Sequence, residues 1–269
     1  MKLPERSIIE KMIAEYAHQS VQIEDNRLLL RDSIIINDYL SSTFLQEKYL
    51  SSLSANDLCK TSLPDLHFLL PDADPSQIAE LCNHIIACYW VAGKALQSLD
   101  TPGLDEKEVK SLSALIVKGT SSEALYSHGW GKRITPGEYR QTPIAVKSNP
   151  LRIFPYHHEV PALMQRFFEW QNGKNNLHPL IMACQTTVYF LYVHPFPDGN
   201  GRVFRLIMQD SMTRHGYVPV SMLGMERDEY LRMIREAQDG DPSDFVFATV
   251  SAQLDVMRTL RTREFLTKT

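Results

Sequence analysis

Residues 194–205 read HPFPDGNGRVFR. A histidine, a carboxylate, a Gly-Asn-Gly run and two arginines fall within a dozen positions. Gly199, Asn200 and Gly201 tolerate the backbone angles that turn successive N–H groups toward one point, an anion nest. A helix starting here adds unpaired N–H groups and the positive end of its dipole. Arg202 and Arg205, three apart, face one side of that helix start. Together these features describe a phosphate-sized anion site. His194 ends the apolar run before the loop and can act as a base near neutral pH. Asp198 stands between it and the anion site, where a carboxylate would hold Mg2+ against phosphate oxygens. Asp-Gly-Asn-Gly alone is a turn. A base, a carboxylate, a nest and two arginines together read as a reaction centre. Phe196, between them, is expected to point inward and anchor the loop.

Helices must position this loop. Ile8, Ile9, Met12, Ile13 and Tyr16 form one apolar stripe. Asp74-Pro75 opens a long helix, with Asp as N-cap and Pro in the first turn; Ile78, Leu81, Ile85, Cys88, Tyr89, Ala92 and Leu96 are its stripe. Further helices are expected over Asp105 to Lys118, 158–172, His178 to Val193, Gly201 to His215, 227–238 and 243–265. RITPGEYRQTPIAV (133–146) breaks the helical period with loose alternation around Pro136-Gly137 and reads as a short β-hairpin. The expectation is one mostly α protein, a helical bundle with a small hairpin.

HPFPDGNGRVFR fills every defined position of H-x-F-x-(D/E)-G-N-G-R-x-x-R, and so resembles the signature of Fic-domain proteins (the Fido family). TPGEYRQTPI looks like the G-x-(F/Y)-R segment leading into the family's flap, a hairpin that aligns a target side chain. MERDEYLRMIREAQDGDPSDFVFATV is similar to the helical tail in which a Tyr and a late amide line the adenine pocket. The resemblance implies transfer of AMP from ATP to a Ser, Thr or Tyr hydroxyl of a protein. His194 would take the hydroxyl proton and Asp198 would hold Mg2+, or Mn2+ in its place. The 199–201 nest would bind the α-phosphate, Arg202 the β-phosphate and Arg205 the γ-phosphate. Tyr230 and Gln238 would line the adenine pocket, although amphipathic-helix residues would look the same. Val146 would dock the target by strand addition.

A second motif lies far upstream. Many Fic proteins carry an inhibitory (S/T)-x-x-x-E-(G/N) on a separate helix, and residues 20–26 read SVQIEDN. Ser20 and Glu24 fit. Asp25 stands where the family prefers Gly or Asn, and Asn26 is expected to take the left-handed stop. Thr43 to Glu47 also fits S/T-x-x-x-E, but Lys48 follows. The resemblance thus implies self-inhibition through a Glu24–Arg205 pair, with Glu24 also able to align water for removal of AMP. It divides the chain into N-terminal helices over 1–103, the inhibitory one at about 5–26, and a Fic core over 104–269 with its flap at about 133–148.

Other features are quieter. Residues 113–134 read as a Ser- and Gly-containing loop near the site. In 147–160, Ile153, Phe154, Tyr156, His157 and His158 would cap the site or bind a partner. A net charge of −4 offers no basic field for nucleic acid. No stretch has the length and apolar character of a membrane span, and the N-terminus does not read as a secretory signal. Cys59, Cys82, Cys88 and Cys184 show no zinc or disulfide spacing and read as reduced, which suits cytosol or nucleus unless a targeting segment is missing. Related enzymes often dimerise, so a homodimer is expected. Two rival readings are Fic-type transfer of another phosphate-containing group and a nucleotide-binding module without turnover; a metal-dependent phosphohydrolase would need a second His/Asp cluster, and the sequence shows none.

Overall fold

The computed structural model describes residues 6–45, 50, 52–126, 134–145, 152–173, 176–220 and 225–266, with side chains placed between 12 and 258. The helices are α1 (Arg6–Gln22), α2 (Leu30–Thr43), α3 (Ala55–Lys60), α4 (Pro75–Gln97), α5 (Glu106–Val117), a 3-10 turn (Ser121–Tyr126), α6 (Val160–Asn172), α7 (Pro179–Val193), α8 (Asn200–Arg214), α9 (Arg227–Gln238) and α10 (Ser243–Leu266). Helix starts follow local chemistry. Asp74 accepts from Ser76 N at 2.7 Å ahead of Pro75. Asp105 and Glu108 form a reciprocal capping box.

α8 is the central helix: α4, α5 and α7 pack on it, and α1 packs on α4 and reaches α8. Val203, Phe204, Leu206, Ile207 and Met212 supply its apolar burial. Its polar residues are buried too, so each needs a partner. Gln209 Nε2 donates to Cys88 O on α4 at 3.0 Å. At the C-terminal end Arg214 Nε meets Asp210 Oδ2 at 2.8 Å, with side chains only 4% and 1% exposed. Asp210 also accepts from Leu104 N at 3.1 Å, and Arg214 donates to Ser98 O and Thr101 Oγ1. This pair staples α8 to the segment entering α5.

Four sequence expectations change. Residues 134–145 form no strand. The Arg140 N–H that a hairpin would use donates instead to Pro195 O at 2.8 Å, so the 194–199 loop takes the place of a partner strand. Val146 and the rest of the hairpin lie outside the described residues. Asp25, not Asn26, takes the left-handed stop, with φ 69°. Asp25 N donates to Gln22 O and Asn26 N to Val21 O, a Schellman closure that explains a preference for Gly or Asn at position 25. Helices α2 and α3 had not been expected, and 121–126 is a 3-10 turn within the expected loop. No described helix is long and apolar enough to cross a membrane.

Candidate active site

The loop between α7 and α8 is built by its own residues. Asn200 Oδ1 accepts from Phe196 N at 2.9 Å, and Asn200 Nδ2 donates to Phe196 O at 2.8 Å. The side chain thus clamps the loop, leaving only the backbone of Asn200 for an anion. Phe196 is fully buried, as expected. Gly199 has φ 78° and would press a Cβ to 3.0 Å from Ile116 Cδ1, so glycine is required there. Its carbonyl accepts from Val203 N and opens α8.

His194 ends α7 in a left-handed conformation, φ 50° and ψ 60°, unusual for a non-glycine residue. The structure stabilises it through a residue that the sequence reading passed over. Arg140, 2% exposed, donates from Nε to His194 O at 2.8 Å and from Nη2 to Pro155 O at 2.6 Å and Val193 O at 3.4 Å. Burial lowers the Arg140 pKa to about 10, so the group stays charged. The signal was present, since Arg140 closes the GEYR segment. The His194 ring meets Phe154 with centroids 4.7 Å apart, so Phe154 does cap the site. His194 Nδ1 lies 3.3 Å from Leu191 O. Burial lowers the His194 pKa to about 4, with the Leu191 carbonyl opposing and Arg140 adding to the shift. The imidazole is therefore neutral at physiological pH, the form a general base needs.

The Asp198 side chain is 39% exposed and 3.9 Å from Arg202 Nη2. Tyr126 OH donates to its backbone carbonyl at 3.1 Å. Among the described residues no group of three His, Cys, Asp or Glu could hold a metal by itself. One accessible carboxylate beside a phosphate cradle nevertheless fits Mg2+, which is commonly bound by one or two carboxylates plus substrate phosphates.

Both arginines are occupied. Arg205, 7% exposed in its side chain, donates from Nη2 to Glu24 Oε1 at 2.7 Å and to Ser20 O at 2.7 Å, and from Nε to Ser20 Oγ at 2.6 Å. Tyr16 OH donates to Arg205 O at 2.5 Å. Burial pulls the Arg205 pKa down, and Glu24, Tyr230 and Tyr16 together more than offset it, so the net shift is upward. The Glu24 carboxylate also stands over Gly201, where any Cβ would overlap it. Ser20 and Glu24 thus meet Arg205 and the nest together. Tyr230 is buried beside Arg205 and stacks on Phe204 with centroids 6.4 Å apart. Gln238 ends α9 eight residues later, about 12 Å further along the helix. A cavity of about 30 Å³ remains between Tyr16, Ser20, Ile23, Arg205, Met208 and Tyr230. Small-molecule sites run to roughly 300–1,000 Å³, so this cavity by itself does not hold a nucleotide.

Arg202 meets a carboxylate that the sequence reading missed. Glu80 Oε1 on α4 lies 2.9 Å from its Nη1. No local pattern could have found Glu80, since its partner is on another helix far along the chain.

A histidine on a left-handed helix end, a glycine-containing turn and two arginines on the next helix stand together in one place. Residues 103–211, which carry them, match the Fic/DOC family model, and the chain contains a Fic/DOC-family domain. A protein adenylyltransferase Fic from Drosophila grimshawi is 36% identical over 115 residues, covering 42% of this chain and 23% of that relative. Its Drosophila melanogaster counterpart matches to the same extent. The chain therefore spans about a quarter of the length of these curated relatives. Among solved structures, a Fic-domain-containing signaling protein from Bacteroides thetaiotaomicron aligns with TM-score 0.62 and 21% identity over 97% of this chain and 88% of its own. Fic-1 from C. elegans aligns with TM-score 0.66 and 18% identity over 97% and 66%. These two likenesses show the fold across the N-terminal helices as well as the core.

Proposed function

We propose that this chain is a protein adenylyltransferase that moves AMP from ATP to a Ser, Thr or Tyr hydroxyl of a protein, restrained by its own Glu24. The observation that carries the reading is Glu24 seated on both Arg205 and Gly201, since that position is where a nucleotide phosphate would sit. The named relatives, adenylyltransferases over the matched region, support the chemistry.

In the reaction, His194 removes the proton from the target hydroxyl. The oxygen bonds to the α-phosphorus as the bond to the β-phosphate oxygen breaks, and pyrophosphate leaves. The nest N–H groups and the two arginines bind the phosphate charge. Asp198 would hold Mg2+, or Mn2+, which would neutralise phosphate charge. Residues 1–103 act as the regulatory part and 104–269 as the catalytic part, with Tyr230 beside the base pocket. Target docking through the 133–148 segment, adenine contact by Gln238, removal of AMP through Glu24 and a homodimer belong to the same proposal.

The test is mass spectrometry for an AMP adduct after incubation with ATP and Mg2+. Glu24→Gly should carry more adduct than the natural chain, and Glu24→Gly with His194→Ala roughly a hundredfold less than Glu24→Gly or lower. Equal adduct with and without Glu24 refutes the restraint; no adduct from any form, on the chain or on cell proteins, refutes the transfer.

A further inference from the structure

The two arginines of the phosphate cradle are held from different sides. Arg205 is held by α1 and its terminal turn, through Ser20 and Glu24. Arg202 is held from behind by α4 and α5: Nη1 pairs with Glu80 and donates to Ile116 O at 3.2 Å. Its other donors are weakly used. Nη2 reaches Ser122 Oγ at only 3.5 Å, and Nε is buried with no partner among the described residues. A guanidinium is a rigid plane of five donors, so fixing Nη1 decides where Nη2 and Nε point. Glu80 does that fixing with Oε1.

The second oxygen of Glu80 is taken by the inhibitory segment. Asn26 Nδ2 donates to Glu80 Oε2 at 2.7 Å and to Gln77 O at 3.0 Å. Asn26 is 4% exposed and lies just past Glu24, beyond the left-handed Asp25. Next to it, Arg27 N donates to Gln77 Oε1 at 3.1 Å. The end of the inhibitory segment is therefore latched to the same turn of α4 that carries Glu80. Burial raises the Glu80 pKa, while Arg202 and then Asn26 lower it, so both partners favour its charged form.

We propose that Glu80 is the positioning residue of Arg202, and that Asn26 joins it to the inhibitory segment. One segment then reaches both arginines: Arg205 directly, through Glu24, and the support of Arg202 through Asn26 on Glu80, which anchors the segment to α4. Asn26 is a second latch of the brake, separate from the Glu24–Arg205 pair. This inference rests on the adenylyltransferase reading and adds to its regulation.

Calorimetry with a non-hydrolysable ATP analogue and Mg2+ tests it independently of transfer. With Glu24→Gly as parent, adding Glu80→Ala should weaken analogue binding roughly tenfold, the scale of one charged hydrogen bond. Glu80→Gln keeps an oxygen for Arg202 and should lose less than about threefold. Both variants remove the same buried charge, so a shared loss of stability cannot explain unequal binding. In transfer assays the loss should fall on KM for ATP and not on kcat. In the otherwise natural chain, Asn26→Ala should raise both analogue affinity and AMP adduct roughly fivefold, with Glu24 and Arg205 untouched. Binding equal to the parent in Glu80→Ala, or equal losses in the Ala and Gln variants, overturns the positioning role; an unchanged Asn26→Ala overturns the latch. If analogue affinity follows Glu80 while no adduct forms, the transfer reading alone fails. If adduct forms while affinity ignores Glu80, the present inference alone fails. A Glu24→Gly parent that binds no analogue overturns both.

Discussion

The two ends of α8 solve one problem differently. At the C-terminal end, Arg214 is paired with Asp210 of the same helix, one turn away, and both side chains are sealed from water. At the N-terminal end, Arg202 and Arg205 are paired with Glu80 and Glu24 from other helices, and the carboxylates are 14% and 32% exposed. A pair contained within one helix cannot separate without unfolding. A pair spanning two elements of the chain can separate when one of them shifts, most readily at Glu24, whose acid is a third exposed. The first arrangement fixes the fold and the second leaves the arginines available to a competing anion.

This contrast is open to measurement. His194→Ala should lower adduct formation by roughly 10²–10⁴-fold, the usual scale of a lost general base, while urea unfolding changes little. Asp210→Ala should do the reverse. It strands a buried Arg214 and should lower unfolding free energy by about 3–5 kcal/mol in a urea titration. If Asp210→Ala instead spared stability, the sealed end would not be the structural one. Glu24→Gly removes a competitor worth about 1.5–3 kcal/mol, so ATP affinity should rise roughly ten- to hundredfold. Its cost to stability should be smaller than that of Asp210→Ala, since Arg205 keeps both bonds to Ser20.

The pH profile sharpens the same comparison. His194 has a folded pKa of about 4 against about 6.5 when unfolded, so the folded chain binds fewer protons between those values. Stability from His194 is present above pH 6.5 and is lost as pH falls toward 4. The acid limb of the transfer rate should lie well below pH 6.5, and Phe154→Ala, which opens the ring to water, should move it upward. The smallest effect is expected at Asp25. A left-handed non-glycine residue costs roughly 1–2 kcal/mol, and glycine returns about 0.5–1 of it through its freedom when unfolded. Asp25→Gly should therefore tighten the brake by about 0.5 kcal/mol and lower basal adduct roughly twofold.

The helices around the site were legible because their signals are local. Asp74-Pro75, Asp105 with Glu108, His178-Pro179 and the apolar stripes each settle a boundary through neighbours in sequence. α2 was not, because its outer face carries exposed Ile34 and Ile35 beside buried Ile36, which blurs the 3.6-residue period. The 133–146 hairpin failed for a related reason. Alternation and a Pro-Gly turn state that a chain can pair, and do not state with what. Arg140 found the catalytic loop first.

The sequence alone determined what is contained within one short stretch: the base, the carboxylate, the nest and the two arginines of 194–205, whose spacing is itself the site, and the Ser20 and Glu24 that share one helix face. The tertiary structure decided which groups answer those charges. Glu80 on Arg202, Asn26 on Glu80 and Arg140 on the His194 carbonyl join residues far apart in the chain. A buried charge must find a partner wherever packing brings one, and packing depends on every helix at once rather than on the neighbours of any residue.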